Sequence, residues 1–251
     1  MSLRPLVTAA VLSAAGLTSP AVAADAPTVV LVHGAWANGS SWAEVIPLLQ
    51  ARGLTVIAVH NPLTSFEADV AATRRVIADQ RQDVILVGHS YGGAVITEAG
   101  DSAKMRALVY VAAFVPSAGQ SVNTIVGAAP PPPWRDAVRP DAQGVLTWSA
   151  AGIARYFAPD LPADKAVLLA ATQAPLNAAA FDGKVTKPAF AAKPSWYVIA
   201  DQDQIIPPPL QQAFAATMKA TTVHVPASHV AMLSQPKAVA DAIVAAVDGA
   251  R

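Results

Sequence analysis

Residues 84–93 read Val-Ile-Leu-Val-Gly-His-Ser-Tyr-Gly-Gly, an apolar run cut off by a Gly-x-Ser-x-Gly pentapeptide and followed by a helical pattern from Gly92 to Ser102. A buried strand that must turn at once into a helix forces its corner residue into a strained backbone conformation. Gly88 and Gly92 supply the side-chain-free space that lets strand and helix approach each other. The residue at the tip projects outward, and here it is Ser90. The pentapeptide alone is a weak signal, because glycine and serine are common. Its place between an apolar strand and a helix makes Ser90 a candidate nucleophile.

The rest of the chain keeps the same rhythm. Short Val/Ile/Leu-rich runs at Thr28–Val32, Leu54–Val59, Val84–Val87, Ala107–Val111, Trp196–Ala200 and Thr222–Val225 alternate with helical patterns. That alternation predicts an α/β fold: a mainly parallel sheet of about six strands flanked by helices. A helix is expected to begin near Ser41, where Ser41 and Glu44 have capping-box spacing, with Trp42, Ile46 and Leu49 on one face. Thr64 and Glu67 repeat the spacing before a helix whose inward stripe is Phe66, Val70, Thr73 and Ile77. Arg74, Arg75 and Asp79 read as its solvated face, and a closing helix from about Lys237 to Asp248 buries Val239, Ile243 and Val247.

Between the fourth and fifth strands the rhythm breaks. Residues 116–194 are too long for a plain loop and carry the Pro130–Pro133 run, Trp134, Trp148, Tyr156 and Phe157. Asp141-Ala-Gln-Gly144 predicts a turn between two short strands, and Asp164–Ala174 a helix. The segment is expected to form a cap over the C-terminal edge of the sheet, where ligands bind in open parallel sheets. The core is then 24–115 with 195–251.

Composition narrows the function. The chain has 17 basic and 17 acidic residues and no Lys/Arg cluster, which argues against nucleic acid or an anionic membrane as the main partner. With no cysteine, disulfides, thiolate metal sites and cysteine nucleophiles are excluded. Arg4, the apolar stretch Pro5–Leu17 and the small-residue site Ala21-Val-Ala23 form a signal-peptide pattern over residues 1–23. Export to the periplasm or medium is the expectation, with no membrane anchor once the leader is cut.

A serine hydroxyl needs a base, and the base needs a third group to fix its tautomer. Of the five histidines, His229 follows the last strand in Pro226-Ala-Ser-His-Val, at the sheet edge where Ser90 must also sit. His33 reads as a structural member of the loop after the first strand, and His89 should turn away from the serine. His60 ends the second strand and His224 lies within the last. The acid should follow the fifth strand, where Asp201 and Asp203 both qualify on spacing. Two amides must bind the oxyanion: Tyr91, after the nucleophile, and Ala35 in the loop His33-Gly-Ala-Trp36. Trp36 reads equally well as core or as pocket wall.

Val32-His-Gly-Ala-Trp36, Gly88-His-Ser-Tyr-Gly92 and Ser228-His-Val-Ala-Met232 together resemble the α/β-hydrolase superfamily. More narrowly, they resemble its branch of plant methyl-ester hydrolases, hydroxynitrile lyases and bacterial pyrethroid-type esterases. The similarity runs from Thr28 to the C-terminus and is least specific in the expected cap. In that branch the acid stands in an Asp-x-x-Ile/Val-Pro context, so the resemblance favours Asp203 of Asp203-Gln-Ile-Ile-Pro207. The oxyanion residue there follows His-Gly directly, which is Ala35 in this chain. Many members open with two antiparallel strands for which this sequence leaves no room, because its first strand follows the leader almost at once.

The resemblance implies a cofactor-free serine hydrolase of small to medium apolar carboxylic esters, with Ser90, Asp203 and His229 as its catalytic residues. Trp36, Trp134 and Trp148 are the pocket candidates. Two other readings stand beside it: a hydroxynitrile-lyase-like enzyme, whose relatives carry a pocket lysine, and a non-catalytic ligand binder on the same fold. Lys184, Lys187 and Lys193 lie in or near the expected cap, but none falls in an alignable motif. Oligomeric state has no signature in the sequence.

Overall fold

A computed structural model describes residues 26–250 of the chain; the leader expected at residues 1–23 lies outside them. Among the described residues, six strands form one sheet: β1 Thr28–Val32, β2 Thr55–Val59, β3 Val84–His89, β4 Met105–Val111, then, after the inserted segment, Ser195–Ala200 and Thr221–Val225. These are the six expected runs, moved by no more than two residues at either end. All five pairings are parallel, in the spatial order β2-β1-β3-β4 followed by the two late strands. β1 and β3 are buried along their whole length, whereas the edge strands β2 and Thr221–Val225 are partly exposed. Continuous apolar runs therefore occupy the centre and mixed ones the rims, as two-sided burial requires.

The chain leaves β1 toward β2 and returns across β1 to lay down β3 on its other side. The connections after β1 and β3 therefore diverge to opposite faces and open a crevice at the C-terminal ends of the two strands, the place where open parallel sheets bind ligands. Gly34 and Ser90 meet there: a Cβ added to Gly34 would stand 2.8 Å from the Ser90 Cβ.

The helix expected from Ser41 is broken into a 3₁₀ turn, Gly39–Trp42, and a short helix, Ile46–Gln50, with Trp42 and Leu49 buried and Ile46 only partly so. The helices Phe66–Asp79 and Pro236–Gly249 follow their expected stripes, but two caps shift. Ser41 and Glu44 do not form a capping box. Instead Asn38 caps the short 3₁₀ helix Gly39–Trp42 by accepting from the Ser40 amide, and Ser41 is buried. Spacing alone could not separate these residues, because Asn38 is an equally good cap and stands before the turn that packs Trp42 inward. Likewise Ser65, not Thr64, caps the helix Phe66–Asp79, with its hydroxyl accepting the Ala68 N–H at 3.1 Å. Phe66, Val70, Thr73 and Ile77 are buried as expected, and Arg74 reaches out to Glu98. The closing helix Pro236–Gly249 buries Val239, Ile243 and Val247.

The inserted segment has a small antiparallel sheet of its own. β5 Val138–Pro140 and β6 Val145–Trp148 flank the expected turn, which Asp141 closes by accepting the Gln143 and Val145 amides. A third strand, β7 Leu176–Asn177, pairs with β6 and was not foreseen, since two residues leave no periodicity to read. With these three numbered, the late strands of the main sheet are β8 (Ser195–Ala200) and β9 (Thr221–Val225). The insert is stitched to the main sheet's loops: Trp36 Nε1–H donates to the Leu146 carbonyl, and the Ala174 and Asn177 amides donate to the Trp36 and Leu63 carbonyls. Glu98, on the helix Tyr91–Ala99, accepts from the Thr186 amide and hydroxyl and from the Lys187 amide.

The crowding at the Ser90 corner gives a direct test. A Cβ on Gly92 would lie 2.6 Å from the Val32 carbonyl oxygen and 2.7 Å from that of His33, both of them main-chain atoms of the central strand and its loop. Gly92→Ala should therefore destabilise the fold by roughly 1–3 kcal/mol, the usual cost of overpacking. Urea denaturation measures it, and an unchanged midpoint would contradict the packing.

Candidate active site

Ser90 occupies the corner between β3 and the helix Tyr91–Ala99 with φ 53° and ψ −123°, a left-handed backbone that a non-glycine residue holds only under constraint. Three main-chain bonds supply that constraint. The Ser90 amide donates to the Val111 carbonyl, and its own carbonyl accepts from Gly93 and Phe114. The strain thus sits between two neighbouring strands, and the hydroxyl faces the crevice.

His229 lies in the loop after β9, fully buried. Its Nε2 is 2.7 Å from Ser90 Oγ and its Nδ1 2.8 Å from Asp203 Oδ2. With the carboxylate accepting at Nδ1, the neutral ring carries its proton there and leaves Nε2 free to accept from the serine. Asp203 is held in turn: Oδ1 accepts the Ile205 and Ile206 amides at 2.7 and 3.1 Å, and Oδ2 also accepts from Gln211 Nε2 at 2.9 Å. Gln211 is buried and locked by the Ile206 carbonyl and the Ala200 amide. Asp201, the other acid that spacing allowed, faces solvent and pairs with His224 at 2.7 Å. The two aspartates part because the chain leaves the strand at Ala200 and turns, the Asp203 amide donating back to the Ala200 carbonyl, so the period-2 alternation of a strand no longer sets where they point.

His33 and His89 take definite roles in the geometry. His33 Nε2 accepts the Asn61 amide at 3.0 Å, so its proton is on Nδ1 and is donated to the Gly34 carbonyl at 2.8 Å. Burial pushes its pKa down to about 4 and keeps it neutral. This neutral ring shapes the loop that carries Ala35. His89 was expected to turn away from the site but does not leave it. Its Nε2 donates to the His229 carbonyl at 2.8 Å and its ring lies 4.8 Å from the His229 ring. Burial, with the nearby His229, holds His89 well below the usual histidine pKa, so it stays neutral. Sequence alone could not show this contact, because it joins residues 140 positions apart.

Tyr91, at the first position of its helix, has an amide with no intrahelical acceptor. Its phenol donates to the buried Asp69 at 2.7 Å, and Asp69 also accepts the Leu63 amide. Burial raises the Asp69 carboxyl above its ordinary range. Asp69 was not singled out from the sequence, where it reads as an ordinary acid in the first turn of a helix.

Ser90, Tyr91 and Ala35 line a cavity of about 650 Å³. Its wall is mainly apolar: Trp36, Phe114, Val126, Trp134, Leu146 and Phe181 contribute, with Asn123 and Arg135 as polar groups. Trp36 is therefore core and pocket wall at once, being buried, in the lining, and edge-on to Trp148 and Phe181. Trp134 also lines the cavity, but Trp148 does not. It is buried one layer behind, against Trp36, Trp134 and Phe157 at 5.5–5.6 Å between ring centres. A buried tryptophan and a lining one have the same sequence signal; only the path of β6 separates them. No lysine is among the lining residues.

Residues 29–242 match the profile of the alpha/beta hydrolase family. A carbendazim hydrolyzing esterase of Nocardioides sp. is 36% identical over 117 residues, 41% of this chain and 48% of that esterase, so the chain matches about half of that relative's length. A probable hydrolase of Phoma sp. is 27% identical over 239 residues, covering 86% of this chain and 96% of that protein. Among solved structures, a pyrethroid hydrolase superposes with a TM-score of 0.75 at 24% identity, covering 89% of this chain and 98% of that one.

The neutral burial of His33 has a consequence for stability. Its folded pKa lies below that of the unfolded chain, near 6.5, so the folded state refuses a proton that the unfolded state accepts. Stability from this group is full above pH 6.5 and is lost as the pH falls toward 4, approaching about 3 kcal/mol. His89 acts in the same direction. In denaturant titrations between pH 7 and 4, His33→Asn should show a shallower loss than the wild type; an equal slope would remove His33 from the account.

Proposed function

The chain belongs to the alpha/beta hydrolase family, and we propose that within it this protein is a serine esterase that cleaves carboxylic esters of small to medium apolar molecules through an acyl-enzyme on Ser90. The observation that carries this reading is the hydrogen-bonded line Ser90 Oγ, His229 Nε2, His229 Nδ1, Asp203 Oδ2, at 2.7 and 2.8 Å, beside an apolar cavity.

In this mechanism Ser90 Oγ attacks the ester carbonyl while His229 Nε2 takes its proton. The Ala35 and Tyr91 amides stabilise the oxyanion, and the positive end of the helix Tyr91–Ala99 adds to them. Asp203 remains a carboxylate and steadies the imidazolium. His229 then gives the proton to the departing alkoxide, which leaves as alcohol. Water enters, His229 takes its proton, and attack on the acyl-enzyme releases the acid and restores Ser90. The inserted segment serves as the cap, its Trp134 and Leu146 roofing the apolar part of the substrate.

A cyanohydrin lyase is the weaker reading. Its relatives use a pocket lysine, whereas Lys184 and Lys187 are exposed, and neither they nor Lys193 lines the cavity. The pattern in residues 1–23 adds the proposal that the esterase works outside the cytoplasm.

A fluorophosphonate probe should label Ser90, and Ser90→Ala should lose both the label and turnover, kcat falling by roughly 10⁶-fold. Asp203→Asn should keep the fold but lose about 10⁴-fold in kcat, because the imidazole then takes the wrong tautomer. A folded wild type that neither takes the label nor hydrolyses any of a panel of esters would overturn the reading. Expressed with its full leader in a bacterial host, the mature protein should begin at Ala24 and appear outside the cytoplasm; an intact N-terminus on a cytoplasmic product would refute export.

A further inference from the structure

The loop that carries His229 is held from two directions. On the core side, His89 donates to the His229 carbonyl. On the other side, the hold comes from the inserted segment. Asp160 Oδ2 accepts the Ser228 amide at 2.8 Å, and Asp160 Oδ1 accepts the Ser228 hydroxyl. Ser228 is fully buried, so its two donors find in this one carboxylate what solvent cannot supply. The Phe157 carbonyl lies 3.4 Å from the same hydroxyl.

The segment bearing Asp160 also touches the base itself. The π-helical turn Ile153–Phe157 sets the Phe157 ring edge-on to His229, 5.0 Å between centres. Phe157 packs on Trp148, and Trp148 on Trp134, which lines the cavity. One continuous stack thus runs from the substrate cavity, through the insert, to the histidine.

We propose that Asp160 is a positioning residue for the base: through Ser228 it holds His229 in register with Ser90, so that the seating of the inserted segment sets whether the base is competent. This rests on the reading of Ser90 and His229 as nucleophile and base. The serine–histidine bond tolerates little displacement, since a shift of about 1 Å in a reacting group can cost about 100-fold in rate. A two-point bond to the adjacent residue is the kind of restraint that prevents such a shift. Asp160 touches no reacting atom. Its effect should be geometric rather than electrostatic, and the two are separable. In Asp160→Asn the amide oxygen still accepts the Ser228 N–H, while the amide N–H can donate to the Ser228 hydroxyl oxygen.

The test compares wild type, Asp160→Ala, Asp160→Asn and Ser228→Ala by ester kinetics, melting temperature and hydrogen exchange of the Ser228 amide. In Asp160→Ala, kcat should fall roughly 10- to 100-fold with KM nearly constant. Exchange at Ser228 should quicken, and Asp160→Asn should recover most of both. Ser228→Ala, which keeps the amide bond alone, should fall between. A wild-type kcat in Asp160→Ala, a loss confined to KM, or an Asp160→Asn as impaired as the alanine variant would each overturn the proposal. If Asp160→Ala does not fold, the asparagine and Ser228→Ala pair decides by the same criteria. If the wild type hydrolyses no ester, the functional reading fails, yet Ser228 exchange still decides the latch: slow in wild type and fast without the carboxylate, or the latch is absent.

Discussion

The contact on which the rest of this structure depends is the approach of β3 and its following helix to β1, main chain against main chain. Space for a Cβ is missing at both Gly88 and Gly92: one would stand 2.6 Å from the Gly92 carbonyl oxygen, the other 2.6 Å from that of Val32. Because nothing larger fits, the chain must turn within a single residue, and Ser90 takes the strained corner. The same proximity brings the His33–Trp36 loop against the serine. A hydroxyl at the corner and an apolar crevice beside it thus follow from one packing constraint at the switch point of the sheet.

Around that corner lies a shell of buried polar groups, each with defined partners. Asp203 receives four donors, Gln211 spans the acid and its loop, His33 bridges Gly34 and Asn61, and Asp69 anchors the Tyr91 phenol. Such groups are costly to bury singly and rigid when satisfied together. The price is sensitivity to acid: burial keeps His33 and His89 neutral below the pH at which an exposed histidine takes up a proton. Among the results is that both ring nitrogens of His229 point at fixed partners, Asp203 and Ser90.

The inserted segment does more than line the cavity. The central strand of its sheet binds Trp36, its return loop binds Glu98, and its π-helical turn lies against His229. Cavity wall and His229 are therefore parts of one packed body, and a change in how that body sits would reach both.

Much of this was legible in the sequence. Six strands, the insertion, the Asp141–Gly144 turn and the stripes of the helices all follow from periodicity, because a two-sided sheet needs apolar runs and a helix needs a 3.6-residue stripe. Ser90 and His229 stood out because a strand–turn–helix corner and a late loop histidine are local patterns. What spacing along the chain left open was set by where side chains point once the layers pack: Asp203 rather than Asp201, Trp148 behind the wall rather than in it, His89 on the His229 carbonyl, Asp160 beneath Ser228. These contacts join residues tens of positions apart, and nothing local encodes the direction of a side chain at a loop. Pattern determined the elements and the corner serine; only tertiary packing decided which polar atoms meet, because a hydrogen bond requires about 3 Å and alignment that spacing along a chain does not specify.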